Sequence, residues 1–189
     1  MPAAPPRGGV AVASEATHLT GVDVVLTGIG KVAAAATVAR AIAERRPPFV
    51  LNVGTAGALH DHLEGPHVVG RVIEHDVDHA FLGGLIGEEL VGEIVLDADE
   101  PTVLATGDAF VSHPELRADL ARRADLVDME GFAVARACQM AGVPCRMVKV
   151  VSDTASEDAA TSWKAEADRT ARLIAAAAAE QLSWSPPHP

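Results

Sequence analysis

Four short segments place acidic, hydroxylated or glycine residues where an apolar strand pattern gives way to a turn or helix. Val151-Ser152-Asp153-Thr154-Ala155 ends a hydrophobic run in Ser-Asp. An aspartate there can cap a following helix. Desolvated at the end of a buried strand, it can instead have its pKa raised toward the working pH and deliver a proton. Asp128-Met129-Glu130-Gly131 stands at a second junction. Glu130 is either a dipole partner of a helix start or a carboxylate whose two oxygens accept the paired hydroxyls of a ribose-like sugar. Thr27-Gly28-Ile29-Gly30-Lys31-Val32-Ala33-Ala34 and Asn52-Val53-Gly54-Thr55-Ala56-Gly57 complete the set. Both read equally as plain βα turns or as glycine-bearing segments that bring backbone N–H groups against a ligand, with the Thr55 hydroxyl in reach.

The elements that must hold these segments follow from periodicity and stop signals. Strands are expected at 9–14, 22–26, 49–53, 68–77, 103–105, 126–128 and 146–151. An Ala-rich helix runs from Lys31 to Arg45 and stops at Pro47-Pro48. Ser112-His113-Pro114-Glu115 has capping-box spacing with Pro in the first turn, so a helix should extend to about Arg123. A further helix spans 130–141 and closes at Gly142, and an amphipathic helix spans 163–182. Alternating strands and helices imply a three-layer α/β/α sandwich around a mixed, mostly parallel sheet, with ligands at the carboxyl ends of strands. Residues 1–9 read as a flexible arm, 10–184 as one domain and 185–189 as a tail.

Composition narrows the function. With 15 Lys+Arg against 26 Asp+Glu the net charge is −11, which repels phosphate backbones and leaves no basic footprint for nucleic acid. No apolar run reaches the roughly 18 residues of a spanning helix, and the Pro-rich 1–9 stretch lacks the apolar region of a signal peptide. Membrane insertion is therefore not expected. Cys138 and Cys145 lack metal-ligand spacing and read as free thiols in a reducing cytoplasm.

Taken together in this order, TGIGKVAAA (27–35), NVGTAG (52–57), TGDAFV (106–111), VDMEG (127–131) and VVSDTA (150–155) resemble the nucleoside phosphorylase superfamily, most nearly its methylthioadenosine/S-adenosylhomocysteine nucleosidase branch. The resemblance implies hydrolysis of the N-glycosidic bond of a purine nucleoside, with no cofactor. It implies that Asp153 assists departure of the base at N7, with Ser152 positioning it. Glu130 would grip the 2′- and 3′-hydroxyls and Met129 pack under the ribose. Phe110 would stack on the base and the Val111 backbone read its edge, while Ile29 lines the 5′ pocket. Thr55 would help hold the water, and the small Ala56 and Gly57 would let the backbone approach the substrate. Glu15 occupies the place of a water-activating glutamate, although the Ser14-Glu15-Ala16 context equally suits a solvated residue.

The chain departs from the family in two places. Little remains of a strand hairpin between Leu19 and Val22, and the 90–103 stretch is short, so the sheet is expected to be trimmed around the 5′ group. A phosphate-dependent phosphorylase is the rival enzyme. Asn52 stands where those relatives carry an arginine, and Arg7 lies in the expected arm, which favours water over phosphate. The same motifs also suit a futalosine-type hydrolase, or a nucleoside-binding protein without turnover. His75-Asp76-Val77-Asp78-His79 resembles a metal cluster, but on a strand the histidines and aspartates face opposite ways, and no metal is expected. His60-Asp61-His62 reads as a solvated loop, and Glu88-Glu89 and 97–100 as acidic surface stretches. By resemblance the chain is a homodimer. The apolar Phe81–Ile86 stretch either forms its interface or packs internally against the trimmed sheet.

Overall fold

A computed structural model describes residues 7–10, 15–20, 23–156 and 159–185. Its elements are β1 (Arg7–Val10), β2 (Asp23–Leu26), α1 (Lys31–Glu44), β3 (Val50–Ala58), β4 (Pro66–Glu74), α2 (His79–Ile86), β5 (Glu93–Val95), β6 (Thr102–Thr106), α3 (Pro114–Leu120), β7 (Leu126–Asp128), α4 (Gly131–Ala141), β8 (Cys145–Asp153) and α5 (Ala159–Gln181).

The sheet is mixed and mostly parallel. Parallel pairings join β1 to β2 and β3, β3 to β8, β4 to β6 and β6 to β7. Antiparallel ones join β3 to β7, β4 to β5 and β4 to β8. The pairings β3–β8–β4–β6–β7–β3 close on themselves, so the centre is a ring rather than an open sheet. The length of β3 makes the closure possible. Its first residues pair with β1, its last two with β7, and β8 runs along its other edge.

Side-chain alternation on the strands feeds the layers. On β8, Met147 packs in a cluster with Val38 and Ile42 of α1 and Phe132 and Val134 of α4. Val148 and Val150 face the other way, onto Ile174, Ala177 and Ala178 of α5. A third cluster gathers Ile73, Val103, Ala105 and Val127 with Leu120 of α3. The expected three-layer architecture is present.

Several boundaries differ from the expectation. Arg7–Gly9, assigned to the arm, hydrogen-bond into the sheet as part of β1; residues 1–6, 11–14 and 186–189 lie outside the described residues. The Ser112 capping box does not form. Pro114 sits at the first helical position with His113 as N-cap, so α3 starts one residue later and ends at Leu120. β4 stops at Glu74, so His75–Asp78 do not alternate as strand residues. Instead α2 begins at His79. The Asp78 carboxylate accepts the Phe81 N–H at 2.9 Å, and Gly87 closes the helix in the left-handed conformation. Asp97 and Glu100, expected as free surface, pair with buried Arg146 at 2.5 and 3.1 Å. Asp61 pairs with Arg117 at 2.6 Å but stays 86% exposed, as the solvated-loop reading expects.

Candidate functional site

The carboxyl ends of β3, β7 and β8 surround a cavity of about 210 Å3. Glu15, Ile29, Thr55, Ala56, Gly57, Phe110, Val111, Met129, Glu130, Ser152 and Asp153 all line it. Residues from six widely spaced segments thus meet in one place. Ile29 and Phe110 stand at its mouth, 62% and 48% exposed, whereas Glu15 and Glu130 are 5% and 8% exposed in its interior.

NVGTAG is not a turn. It continues β3 to Ala58, with a register shift against β8 between Ala56 and Gly57. The bulge brings Gly57 against the Asp153 side chain. A Cβ on Gly57 would lie 3.1 Å from both Asp153 Oδ1 and the Ala155 methyl, so glycine is what lets the carboxylate approach. Asp153 is held at both oxygens. Ser152 Oγ donates to Oδ2 and the Ala155 N–H donates to Oδ1, each at 2.8 Å. Ala155 adopts φ +48°, a left-handed conformation unusual for a residue with a Cβ, and it closes the turn that presents Asp153.

The two carboxylates of the 128–131 segment divide the roles the sequence left open. Asp128 does the capping. Its Oδ2 accepts the Gly131 N–H at 2.9 Å, and its Oδ1 accepts the Thr106 hydroxyl at 2.6 Å. Glu130 makes no side-chain cap to its own helix α4. It reaches across the cavity, and its Oε1 accepts the Gly30 N–H at 2.8 Å. The helix dipole at that contact belongs to α1, which starts at Lys31.

Glu15 is buried rather than solvated. Its Oε1 accepts both the Thr55 N–H at 2.9 Å and the Thr55 hydroxyl at 2.8 Å. Thr55 therefore orients Glu15 directly.

Sequence reasoning misses Lys149. It lies inside the apolar run of β8, with a side chain only 3% exposed, and its Nζ sits 2.9 Å from Asp128 Oδ2. A charged residue in a fully buried strand is the available signal, because such a charge persists only when paired. Burial alone would lower its pKa, but the charges of Asp128, Glu130 and Glu15 outweigh that and raise it. Glu130 is affected in turn. Burial and the Asp128 charge push its carboxyl up to about 7, against the opposing pull of Lys149 and the Gly30 N–H. Gly54 faces the same cluster, and a Cβ there would stand at ordinary contact distance, 3.5 Å from Glu15 Oε1 and 3.6 Å from Lys149 Nζ.

The chemistry this permits is specific. One partly buried carboxyl group at a strand end can exchange a proton with a ligand. A second carboxylate, balanced by a buried ammonium, can accept hydroxyls, and a third faces the same space. Among the described residues no group of three or more His, Cys, Asp or Glu side chains is arranged to hold a metal ion.

Comparison with known proteins gives the family and the fold. The family model described as the phosphorylase superfamily matches residues 2–102 and 99–184. The 5′-methylthioadenosine/S-adenosylhomocysteine nucleosidase of Marinomonas sp. is 32% identical over 171 residues, covering 76% of this chain and 74% of that protein. The enzyme of the same name from Bacillus velezensis is 33% identical over 169 residues, covering 76% and 73%. Among solved structures, the fold is shared with a Helicobacter pylori 5′-methylthioadenosine/S-adenosylhomocysteine nucleosidase (TM-score 0.84, 24% identity, 96% of this chain and 99% of that one). Futalosine hydrolase from the same organism gives TM-score 0.79 at 26% identity, covering 91% and 94%. The TM-score of 0.84 over nearly the whole neighbour shows that the overall fold is kept. On sequence and fold alike, the chain belongs to the phosphorylase superfamily.

Proposed function

We propose that this chain is a purine nucleosidase that hydrolyses the N-glycosidic bond of a 5′-modified adenosine, such as methylthioadenosine or S-adenosylhomocysteine, to free base and ribosyl sugar. The observation that carries the reading is the convergence of Asp153, Glu130 and Glu15 on one cavity, with Lys149 balancing the charge. Relatives above 30% identity named as nucleosidases support it.

In this reading the base stacks on Phe110 with its edge toward the Val111 backbone, and N7 lies toward Asp153. Protonation at N7 turns a poor anionic leaving group into a neutral one. Glu130 accepts the ribose hydroxyls over Met129, and its charge favours the positive sugar ring of the transition state. Glu15, oriented by Thr55, takes the proton of the attacking water, and Ile29 borders the 5′ group. Asn52, 2% exposed in the cavity wall, supplies no cation for phosphate. The 26% identity to a futalosine hydrolase supports a second reading in which the 5′ group differs. Reducing-sugar release from methylthioadenosine, adenosylhomocysteine, inosine and futalosine, each with and without phosphate, separates these readings. Turnover of an adenosine substrate independent of phosphate is expected, and turnover of none contradicts the proposal.

Sugar recognition makes a prediction with a pH signature. Only the ionised Glu130 accepts two hydroxyls, and its carboxyl is pushed up to about 7 by burial and Asp128, with Lys149, Glu15 and the Gly30 N–H as the other groups facing it. Nucleoside affinity, measured by calorimetry on the Asp153→Asn variant, should therefore rise as pH increases from 6 to 8. Folding stability should move the opposite way. With a folded pKa above its unfolded value, Glu130 holds its proton more tightly when folded, so stability falls as pH rises from 4.5 toward 7. Glu130→Gln should flatten both slopes and weaken binding by about 1.5–3 kcal/mol. It should weaken a 2′-deoxynucleoside much less, and equal losses on the two ligands would contradict the assignment.

We further propose a cytoplasmic homodimer. Cys138 and Cys145 are buried free thiols, and among the described residues no helix is long and apolar enough to cross a membrane. Phe81, Leu82, Leu85 and Ile86 of α2 are 61%, 40%, 66% and 59% exposed, which supports an interface over internal packing of these side chains. A two-fold contact is the commonest way to cover such a patch. Light scattering should give a dimer, and Phe81→Asp with Leu85→Asp should shift it to monomer with lowered activity. A fully active wild-type monomer would contradict the shared interface.

A further inference from the structure

The His75–His79 stretch, which no metal or catalytic role absorbs, contributes to a closed ring of hydrogen bonds beside the cavity. Lys31 Nζ donates to Asp76 Oδ1 at 2.5 Å and to Glu74 Oε1 at 2.6 Å. Asp76 Oδ2 accepts the backbone N–H of Asp108 at 2.8 Å. Asp108 Oδ1 accepts the backbone N–H of Lys31 at 2.7 Å, which completes the ring. The Lys31, Glu74 and Asp76 side chains are 14%, 13% and 27% exposed, so the ion pairs are partly shielded from water. The oxygen of Glu74 not used by Lys31 meets His79 Nε2 at 2.8 Å, which anchors the ring to α2.

The ring joins two segments that border the mouth of the cavity. On one side Lys31 opens α1 directly after Ile29 and Gly30, and the Gly30 N–H is the donor that Glu130 reaches. On the other side Asp108 precedes Ala109-Phe110-Val111, the loop that walls the cavity. The approach is close at both joints. A Cβ on Gly30 would lie 3.1 Å from Asp108 Oδ1, and one on Gly107 would lie 2.3 Å from His75 Nε2. Glycine at 107 is thus required for the His75 ring to lie against the loop.

We propose that Lys31, Asp76 and Asp108 are positioning residues that set the distance between the Phe110 base platform and the Glu130 sugar grip. None of the three lines the cavity. They act by holding two segments that do, and a shift of the loop by about an ångström misplaces a base relative to a fixed sugar. The inference rests on the nucleosidase reading of the same cavity. Electrostatics are consistent with it: burial tends to raise the Asp76 carboxyl, but its bonds to Lys31 and the Asp108 N–H prevail and hold it below the usual range.

The test is a double-mutant cycle between Asp76→Ala and Phe110→Ala, read as KM and kcat for an adenine nucleoside that the wild type hydrolyses. Loss of a charge-assisted anchor should raise KM by roughly 10-fold or more in Asp76→Ala, with kcat changed by less than that. In the Phe110→Ala background the same change should add less than about 2-fold, because the platform it aligned is gone. Asp76→Asn, which keeps an acceptor for the Asp108 N–H, should recover part of the loss, and Lys31→Met should resemble Asp76→Ala. If Asp76→Ala fails to fold, the Asp76→Asn and Lys31→Met cycles with Phe110→Ala carry the same comparison. Wild-type KM in the single variants, or effects that multiply in the double variants, overturns the ring's role alone. A wild-type chain that binds and hydrolyses no nucleoside overturns it together with the reading on which it rests.

Discussion

Asp153→Asn is expected to lower kcat by roughly 10²–10⁴-fold, the range a general acid supplies, while nucleoside binding and folding change little. The local hydrogen bonds explain why the loss should be confined to chemistry. The Ala155 N–H can still donate to the retained carbonyl oxygen, and the Ser152 hydroxyl, now 2.8 Å from Oδ2, can rotate to accept from the new amide. The amide can hydrogen-bond N7 but has no proton to transfer. Single-turnover kinetics with calorimetric binding separate the two effects. Near-normal turnover would remove Asp153 as the acid.

Lys149→Met carries the second large effect, and it falls on both stability and binding. The Lys149 and Asp128 side chains are 3% and 2% exposed, so the variant leaves a buried carboxylate without its counter-ion. Breaking such a pair typically costs about 3–5 kcal/mol, and the midpoint of chemical unfolding should fall accordingly. Lys149 also pulls the Glu130 pKa down. Without it Glu130 stays protonated to higher pH, so residual nucleoside affinity should be recovered only at more alkaline pH than in the wild type. Lys149→Arg should keep the charge but strain an enclosed space. A Lys149→Met protein as stable as the wild type, with an unshifted pH profile, would contradict the role assigned to this ion pair.

The layers of the fold are legible because periodicity and stop signals act locally. Gly142 in the left-handed conformation ends α4 where a C′ glycine should, and the strand ends at Asp128 and Asp153 fall where the apolar runs stop. Helix α2 is not legible, since Gly83-Gly84 in its centre argues against helix by propensity. Packing overrides that preference. A Cβ on Gly83 would come within 2.6 Å of the Glu88 carbonyl, so the glycine serves the tight return after the helix. The Asp78 cap and Gly87 stop are the available signs. The extension of β3 through NVGTAG escapes sequence reasoning for a related reason. Its glycines suggest a turn, yet Gly57 serves the close approach of Asp153 from β8, a contact that exists only once β3 and β8 pair. In the same way, the division of labour between Asp128 and Glu130 cannot be read from adjacent letters. It depends on the start of α1 meeting the start of α4 in space, through Gly30.

Everything proposed for this cavity turns on hydrolysis, with water rather than phosphate attacking the sugar. The decisive experiment is turnover of methylthioadenosine in ¹⁸O-labelled water, with the products identified by mass spectrometry in the presence and absence of phosphate. Attack by water gives free adenine and a reducing sugar carrying one ¹⁸O at its anomeric carbon, at the same rate under both conditions. A sugar 1-phosphate formed only when phosphate is supplied, or no release of base at all, would contradict hydrolysis.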